Sequence, residues 1–168
     1  MISDADFIIG LMRQGYNIEP NQLGFIPDTA IRNRYVPNGQ YIMQYDLRGR
    51  RTGYILTGKI SMGKNLGIQQ AIIDYDRRGL GFGEMAFCSL LEKARAAACS
   101  SVSLKIAENL EAVTFFQAMG MEIIHIIHRE NKRHRKIYQM YLSLVPQLFE
   151  TITQRPTNGP ISFKSVGG

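Results

Sequence analysis

Cysteine is scarce: Cys88 and Cys99 are the two in 168 residues. Their spacing offers neither a metal-ligand pair nor a disulfide framework, so reduced thiols in or near the core of a cytoplasmic protein are expected. Long apolar runs are missing too. Nothing approaches the ~20 residues that cross a bilayer, and no membrane segment is expected. The opening MISDADFIIGLMRQ puts acids ahead of a short apolar stretch, which argues against a secretory signal. There is no internal repeat. Acid is in deficit, with 14 Asp and Glu against 20 Lys and Arg, a formal charge of +6. That surplus welcomes an anionic partner: nucleic acid, an anionic surface or a small anion. The bases cluster at Arg32 and Arg34, at Arg48, Arg50 and Arg51, and over residues 129–136. Solvated loops carry such clusters as well, so charge alone selects no partner.

What is present is an ordered series of periodic segments. Residues 3–15 put Phe7, Ile8, Leu11 and Met12 on one helical face. A second helix begins at Asp28 after Pro27, carries Ile31 and Tyr35, and stops at Pro37-Asn38-Gly39. The period then changes. Residues 40–47 and 52–62 read as strands joined by an RGRR turn, and residues 67–75 as a third strand. Residues 84–98 recur at helical spacing through Ala86, Phe87, Leu90, Leu91 and Ala94. Residues 101–107 form a strand. Residues 109–119 form a helix with Asn109 as N-cap and Gly120 at its C-terminal exit. Residues 121–128 and 136–145 make two more strands. The order predicts an α/β fold of the α+β layered kind, a mixed, mostly antiparallel sheet with helices on both faces. One domain is expected over 1–145, a helical part at 1–39 and a sheet core at 40–145. The tail 146–168, rich in Pro, Gly, Ser and Thr, reads as an arm, and strand exchange in a homodimer is compatible with it.

The stretch DRRGLGFGEMAF, residues 76–87, sets three glycines at alternate positions before a helix. Glycine is costly in an ordered element, so such a loop needs unusual dihedrals or close approach of a ligand. A helix N-terminus with unpaired N–H groups suits phosphate. No Lys-Ser or Lys-Thr follows, which excludes a P-loop. A dinucleotide fingerprint fails at Glu84, or needs Ala86 as its third small residue after a strand pair that reads as a hairpin.

The remaining reading takes Arg78-Gly79-Leu80-Gly81-Phe82-Gly83 as R-x-x-G-x-G, and here the chain resembles the GCN5-related N-acetyltransferase family. Downstream, Asn109-x-x-Ala112-x-x-Phe115-Phe116-x-x-x-Gly120-Met121 is similar to that family's N-x-x-A-x-x-F-Y-x-x-x-G-F segment. Together with the element order, the two segments cover most of residues 40–145. The resemblance implies acetyl-CoA as co-substrate. Its pyrophosphate would lie on the backbone of Arg78, Gly79, Gly81, Phe82, Gly83 and Glu84, and its pantetheine beside Asn109 and Phe116. The thioester carbonyl would meet the N–H of Ile72 or Ile73. It further implies direct transfer to a primary amine in a ternary complex, since neither cysteine stands where a nucleophile would.

Two departures accompany the resemblance. Phe116 occupies the place of the family's proton-donating tyrosine, and Gln69 and Gln70 stand where many relatives carry a glutamate base. Asp74, acting through water or merely capping the loop, and His125 are the candidate bases; Tyr138 is the candidate acid, with Tyr141 beside it. His125 and His128, three apart, are expected on opposite faces of their strand. The basic turn 129–136 favours an acidic acceptor, whether small molecule or protein, or else protects a hairpin tip. LGFIP, residues 23–27, either lines the acceptor pocket or staples the first helices to the sheet. The competing reading is a catalytically idle acyl-CoA- or nucleic-acid-binding module on the same scaffold.

Overall fold

The structure, a computed structural model, describes residues 1–20, 24–108, 110–128 and 135–145. Asn109, the tip of the basic turn and the tail from 146 lie outside the described residues.

Ser3 caps the first helix, α1 (Asp4–Ile18), by accepting the Asp6 N–H at 3.1 Å. The second, α2 (Asp28–Ala30), follows Pro27 and continues as a π-helical turn over Ile31–Tyr35, burying Ile31 and Tyr35 as expected. The strands are β1 (Tyr41–Tyr45), β2 (Arg51–Thr57), β3 (Asn65–Ile73), β4 (Ser101–Ala107), β5 (Glu122–Ile127) and β6 (Ile137–Ser143). A 3-10 turn, Tyr75–Arg77, leads into α3 (Phe82–Ala96), and α4 (Ala112–Ala118) joins β4 to β5. Several boundaries shift by a few residues from the sequence pattern, most visibly those of β2 and α4. β2 stops at Thr57, short of the expected 62, although Gly58 still donates to the Gly67 carbonyl. α4 begins only after Glu111, which caps it with no side-chain bond.

The strands form one six-stranded sheet in the order β1-β2-β3-β4-β6-β5. Every neighbouring pair is antiparallel except β3 with β4. β2 is buried along nearly its whole length because both of its faces are covered. Ile55 joins a core with Phe87, Leu90 and Ala94 of α3 and with Val113 and Phe116 of α4. Tyr54 and Leu56 join a second core with Ile8 and Met12 of α1 and with Ile31 and Tyr35. The expected mixed sheet with helices on both faces is what the chain forms. Cys99 is buried and Cys88 exposed on α3. Among the described residues no helix is long and apolar enough to cross a membrane.

One irregularity re-aims β3. Leu56 pairs with Gln70 and Thr57 with Ile68, so Gln69 is an extra residue, a β-bulge. Before it, Leu66 and Ile68 face α3; after it, Ile72 faces α1.

Candidate active site

Pairing between β3 and β4 runs from Asn65↔Ser101 to Ile68↔Leu104 and stops, although β3 continues to Ile73 and β4 to Ala107. The two strands splay, leaving backbone groups of β3 without a neighbour on that side. Which groups these are follows from the β2–β3 register. The Asp74 N–H donates to the Thr52 carbonyl at 2.9 Å, which makes 74 and 52 a hydrogen-bonded pair. Bonded and non-bonded pairs alternate in an antiparallel ladder, so Ile72↔Tyr54 is bonded and Ile73↔Gly53 is not. The Ile72 amide is therefore spent on β2, and its side chain, 2% exposed, lies in the α1-side core. Of the two candidate amides, Ile73 faces the gap.

Gly53 is the neighbour that allows this arrangement. A Cβ there would stand 2.5 Å from Ile73 Cδ1 and 2.6 Å from the Ile72 carbonyl oxygen, so only glycine lets the strands lie this close.

The glycine loop enters α3 through two left-handed residues, Gly79 at φ +74° and Gly81 at φ +86°. Gly81 caps the helix, and the first helical bond runs from the Met85 N–H to its carbonyl at 3.1 Å. Among the described residues the N–H groups from Gly79 to Glu84 have no partner. They lie at the positive end of a helix dipole, an arrangement able to hold an anion. Gly83 is helical; a Cβ there would lie 3.4 Å from the Phe115 ring and 3.7 Å from Ile73 Cγ1. α4, the start of α3 and the end of β3 thus meet at one point.

Arg78 does not present a free guanidinium to that loop. It stacks 3.8 Å over the Tyr75 ring, lies 3.6 Å from the Glu19 carboxylate, and donates through Nε to the Ile73 carbonyl at 3.3 Å. The Tyr75 hydroxyl donates to the same Glu19 at 2.7 Å, and burial, then that bond, pushes its phenol up. Arg77 reaches Asp46 at 3.7 Å. Both arginines tie the loop to its surroundings.

The candidate acid and base residues do not converge. Asp74 caps the 3-10 turn, accepting the Asp76 N–H at 3.3 Å, which is the structural one of its two expected roles. His125 pairs with Gln139 on β5, with β4 and β6 between it and β3. Three strand spacings amount to about 14 Å, too far to reach atoms at Ile73. His128 falls beyond the end of β5, so the strand alternation assumed for the two histidines does not extend to it. Tyr138 sits opposite Ile106 at the splayed end of β4 but packs against the α3-side core. Phe116 is 7% exposed, edge-on to Phe87 at 5.9 Å and to Phe115 at 5.1 Å. It is a core residue, and Phe115 is the aromatic that touches the loop. The spacing of Val113 and Phe116, three apart on one buried face, is the signal that separates the two phenylalanines.

Gln70 also has a structural task. The buried Tyr54 hydroxyl donates to Gln70 Oε1 at 2.6 Å, and Gln70 Nε2 donates to the Gly24 carbonyl at 2.9 Å. Burial pushes the Tyr54 phenol far above its usual range, so it remains a neutral donor. Within LGFIP, Ile26 packs in the α1-side core, the stapling role expected for the segment, and Phe25 is exposed; Leu23 lies outside the described residues.

No protein-family model and no curated protein matches the sequence. Solved structures match over most of the chain. Ard1 from Thermoplasma volcanium is similar with a TM-score of 0.69 at 20% identity, over 86% of this chain and 96% of its own. A GCN5-related N-acetyltransferase from Kribbella flavida is similar with a TM-score of 0.68 at 17% identity, over 85% and 95%. An aminoglycoside 6′-N-acetyltransferase, solved with coenzyme A, gives 0.69 at 12% identity over 85% and 92%. The chain has the fold of the GCN5-related N-acetyltransferases.

Proposed function

We propose that this protein is an N-acetyltransferase that moves an acetyl group from acetyl-CoA to a primary amine by direct attack in a ternary complex. The observation that carries the reading is the Ile73 amide, left without a strand partner beside a loop whose amides from Gly79 to Glu84 are also unpartnered.

The amides from Gly79 to Glu84 hold the pyrophosphate at the start of α3. The pantetheine follows the β3–β4 gap, and the Ile73 N–H donates to the thioester oxygen as negative charge develops on it. One such donor is worth on the order of 10²–10³ in rate. The amine nitrogen forms the new C–N bond, the C–S bond breaks, and the CoA thiolate leaves. The amine proton passes to water, and no side chain takes a proton-transfer role. Alignment and carbonyl polarisation carry the rate, which fits the buried Phe116 and the fully engaged Gln70.

The test is calorimetric titration with acetyl-CoA, followed by thiol release across a panel of amines. Saturable micromolar binding, lost in Gly83→Glu while the melting profile stays cooperative, is the expected result. Undiminished affinity in that variant would sink the loop assignment. Binding with no thiol release from any amine would leave the idle binding module.

A further inference from the structure

The arginine that opens the glycine loop turns back on the strand before it. Arg78 Nε donates to the Ile73 carbonyl at 3.3 Å. In a strand the N–H and C=O of one residue point the same way, and the Ile73↔Gly53 pair is a non-bonded one. The Ile73 carbonyl therefore opens on the β3–β4 gap beside its own amide, where pairing with β4 has already stopped. Arg78 occupies the acceptor of that edge and leaves the donor free.

Several contacts keep the guanidinium there. It lies flat against the Tyr75 ring at 3.8 Å, a support that suits a planar cation. Glu19, at the C-terminal cap of α1, stands 3.6 Å from Arg78 Nη1 and accepts from the Tyr75 hydroxyl at 2.7 Å. The turn itself is closed by the Arg78 N–H, which donates to the Tyr75 carbonyl at 3.4 Å. That amide is thus separate from the unpartnered run that begins at Gly79.

The consequence is electrostatic. A bare carbonyl beside the Ile73 amide would repel an oxygen on which negative charge develops. A guanidinium bonded to that carbonyl offsets its dipole and sets positive charge next to the donor. Holding one end of residue 73 also restrains the direction of its N–H.

Resting on the acetyl transfer proposed above, we infer that Arg78, held by Tyr75 and Glu19, is a positioning residue for the Ile73 amide. It acts on the thioester oxygen through Ile73 and is not a ligand of the co-substrate's phosphates.

The experiment records amide proton–nitrogen correlation spectra of the isotope-labelled protein with CoA and with acetyl-CoA. The two ligands share every phosphate and differ by the acetyl group, so an Ile73 shift specific to acetyl-CoA reports the contact with its carbonyl. That shift is expected in the wild-type protein, lost in Arg78→Ala and reduced in Glu19→Gln, which keeps an acceptor for Tyr75 but removes the charge. In both variants the melting profile should stay cooperative, the shifts of Gly79 and Gly81 should persist, and CoA affinity should stay near the wild-type value. An acetyl-specific Ile73 shift that survives unchanged in either variant overturns the inference and leaves the transfer reading standing. So does CoA affinity weakened about ten-fold or more in Arg78→Ala, which would make the guanidinium a phosphate ligand. A wild-type protein with no acetyl-specific shift at Ile73 removes the role on which the proposed function rests, and this inference with it.

Discussion

Gly53 lies directly across the ladder from Ile73, at a distance no side chain fits: a Cβ at 53 would fall 2.5 Å from Ile73 Cδ1. The residue proposed to polarise the thioester is thus positioned by the absence of a side chain on the next strand. Gly53→Ala must push β3 outward or distort β2. The expected cost is about 1–3 kcal/mol of stability, typical of overpacking. Acetyl transfer should fall more than acetyl-CoA affinity does, because the loop amides are untouched. Denaturant unfolding and the kcat-against-KM split check this; an unaltered kcat would show that the Ile73 amide tolerates displacement.

Phe116→Tyr installs the hydroxyl that the family resemblance finds missing. Phe116 points into the core against Phe87 and Phe115, so the added oxygen meets rings in place of a leaving thiolate. A buried hydroxyl without a partner costs about 1–3 kcal/mol. The variant should be less stable and no faster. A gain in turnover would mean that α4 rotates when the co-substrate is present.

His125→Ala should leave turnover within about two-fold, because β4 and β6 separate His125 from the gap and general-base removal would cost 10²–10⁴. A hundred-fold loss, read from thiol release at several pH values, would restore His125 as the base.

The Tyr41 hydroxyl donates to Asp4 Oδ2 at 2.7 Å, and this bond, then burial, pushes the phenol up to about 12. A folded-state value above the unfolded one of 10.0 means stability that is fully present below pH 10. It is lost as pH rises from there through about 12. The denaturation midpoint of the wild-type protein should fall across that window, while Tyr41→Phe, weaker at neutral pH, should show a flatter decline. Parallel curves would remove the Asp4 bond as the cause.

Much of the glycine loop's geometry was legible because its signals are local. The alternate glycines of residues 79–83 announce left-handed backbone before a helix, and Gly79 and Gly81 adopt it. The strand and helix periods of residues 84–107 fall within a residue or two of the observed elements. Where side chains compete for partners, the local pattern failed. Arg78 sits beside the glycines in sequence but folds onto Tyr75 and Glu19, the latter at the C-terminal cap of α1. Phe116 aligns with a reactive position yet turns inward, because helical phase against Phe87 sets its direction.

The sequence by itself determined the order of elements, the mixed sheet with helices on both faces, and the loop able to offer free amides. Those properties depend on spacing along the chain and on the dihedrals each residue tolerates. Only the tertiary structure decided that Ile73 and not Ile72 faces the gap, that Gln69 bulges, and that Gly53 clears the way. It also decided that Gln70 is a strut beneath Gly24 and that Arg78 lies against Glu19. Each of these is a register between strands or a contact between distant segments. A shift of one residue in a ladder reverses which amides and side chains point where, and no local propensity carries that information.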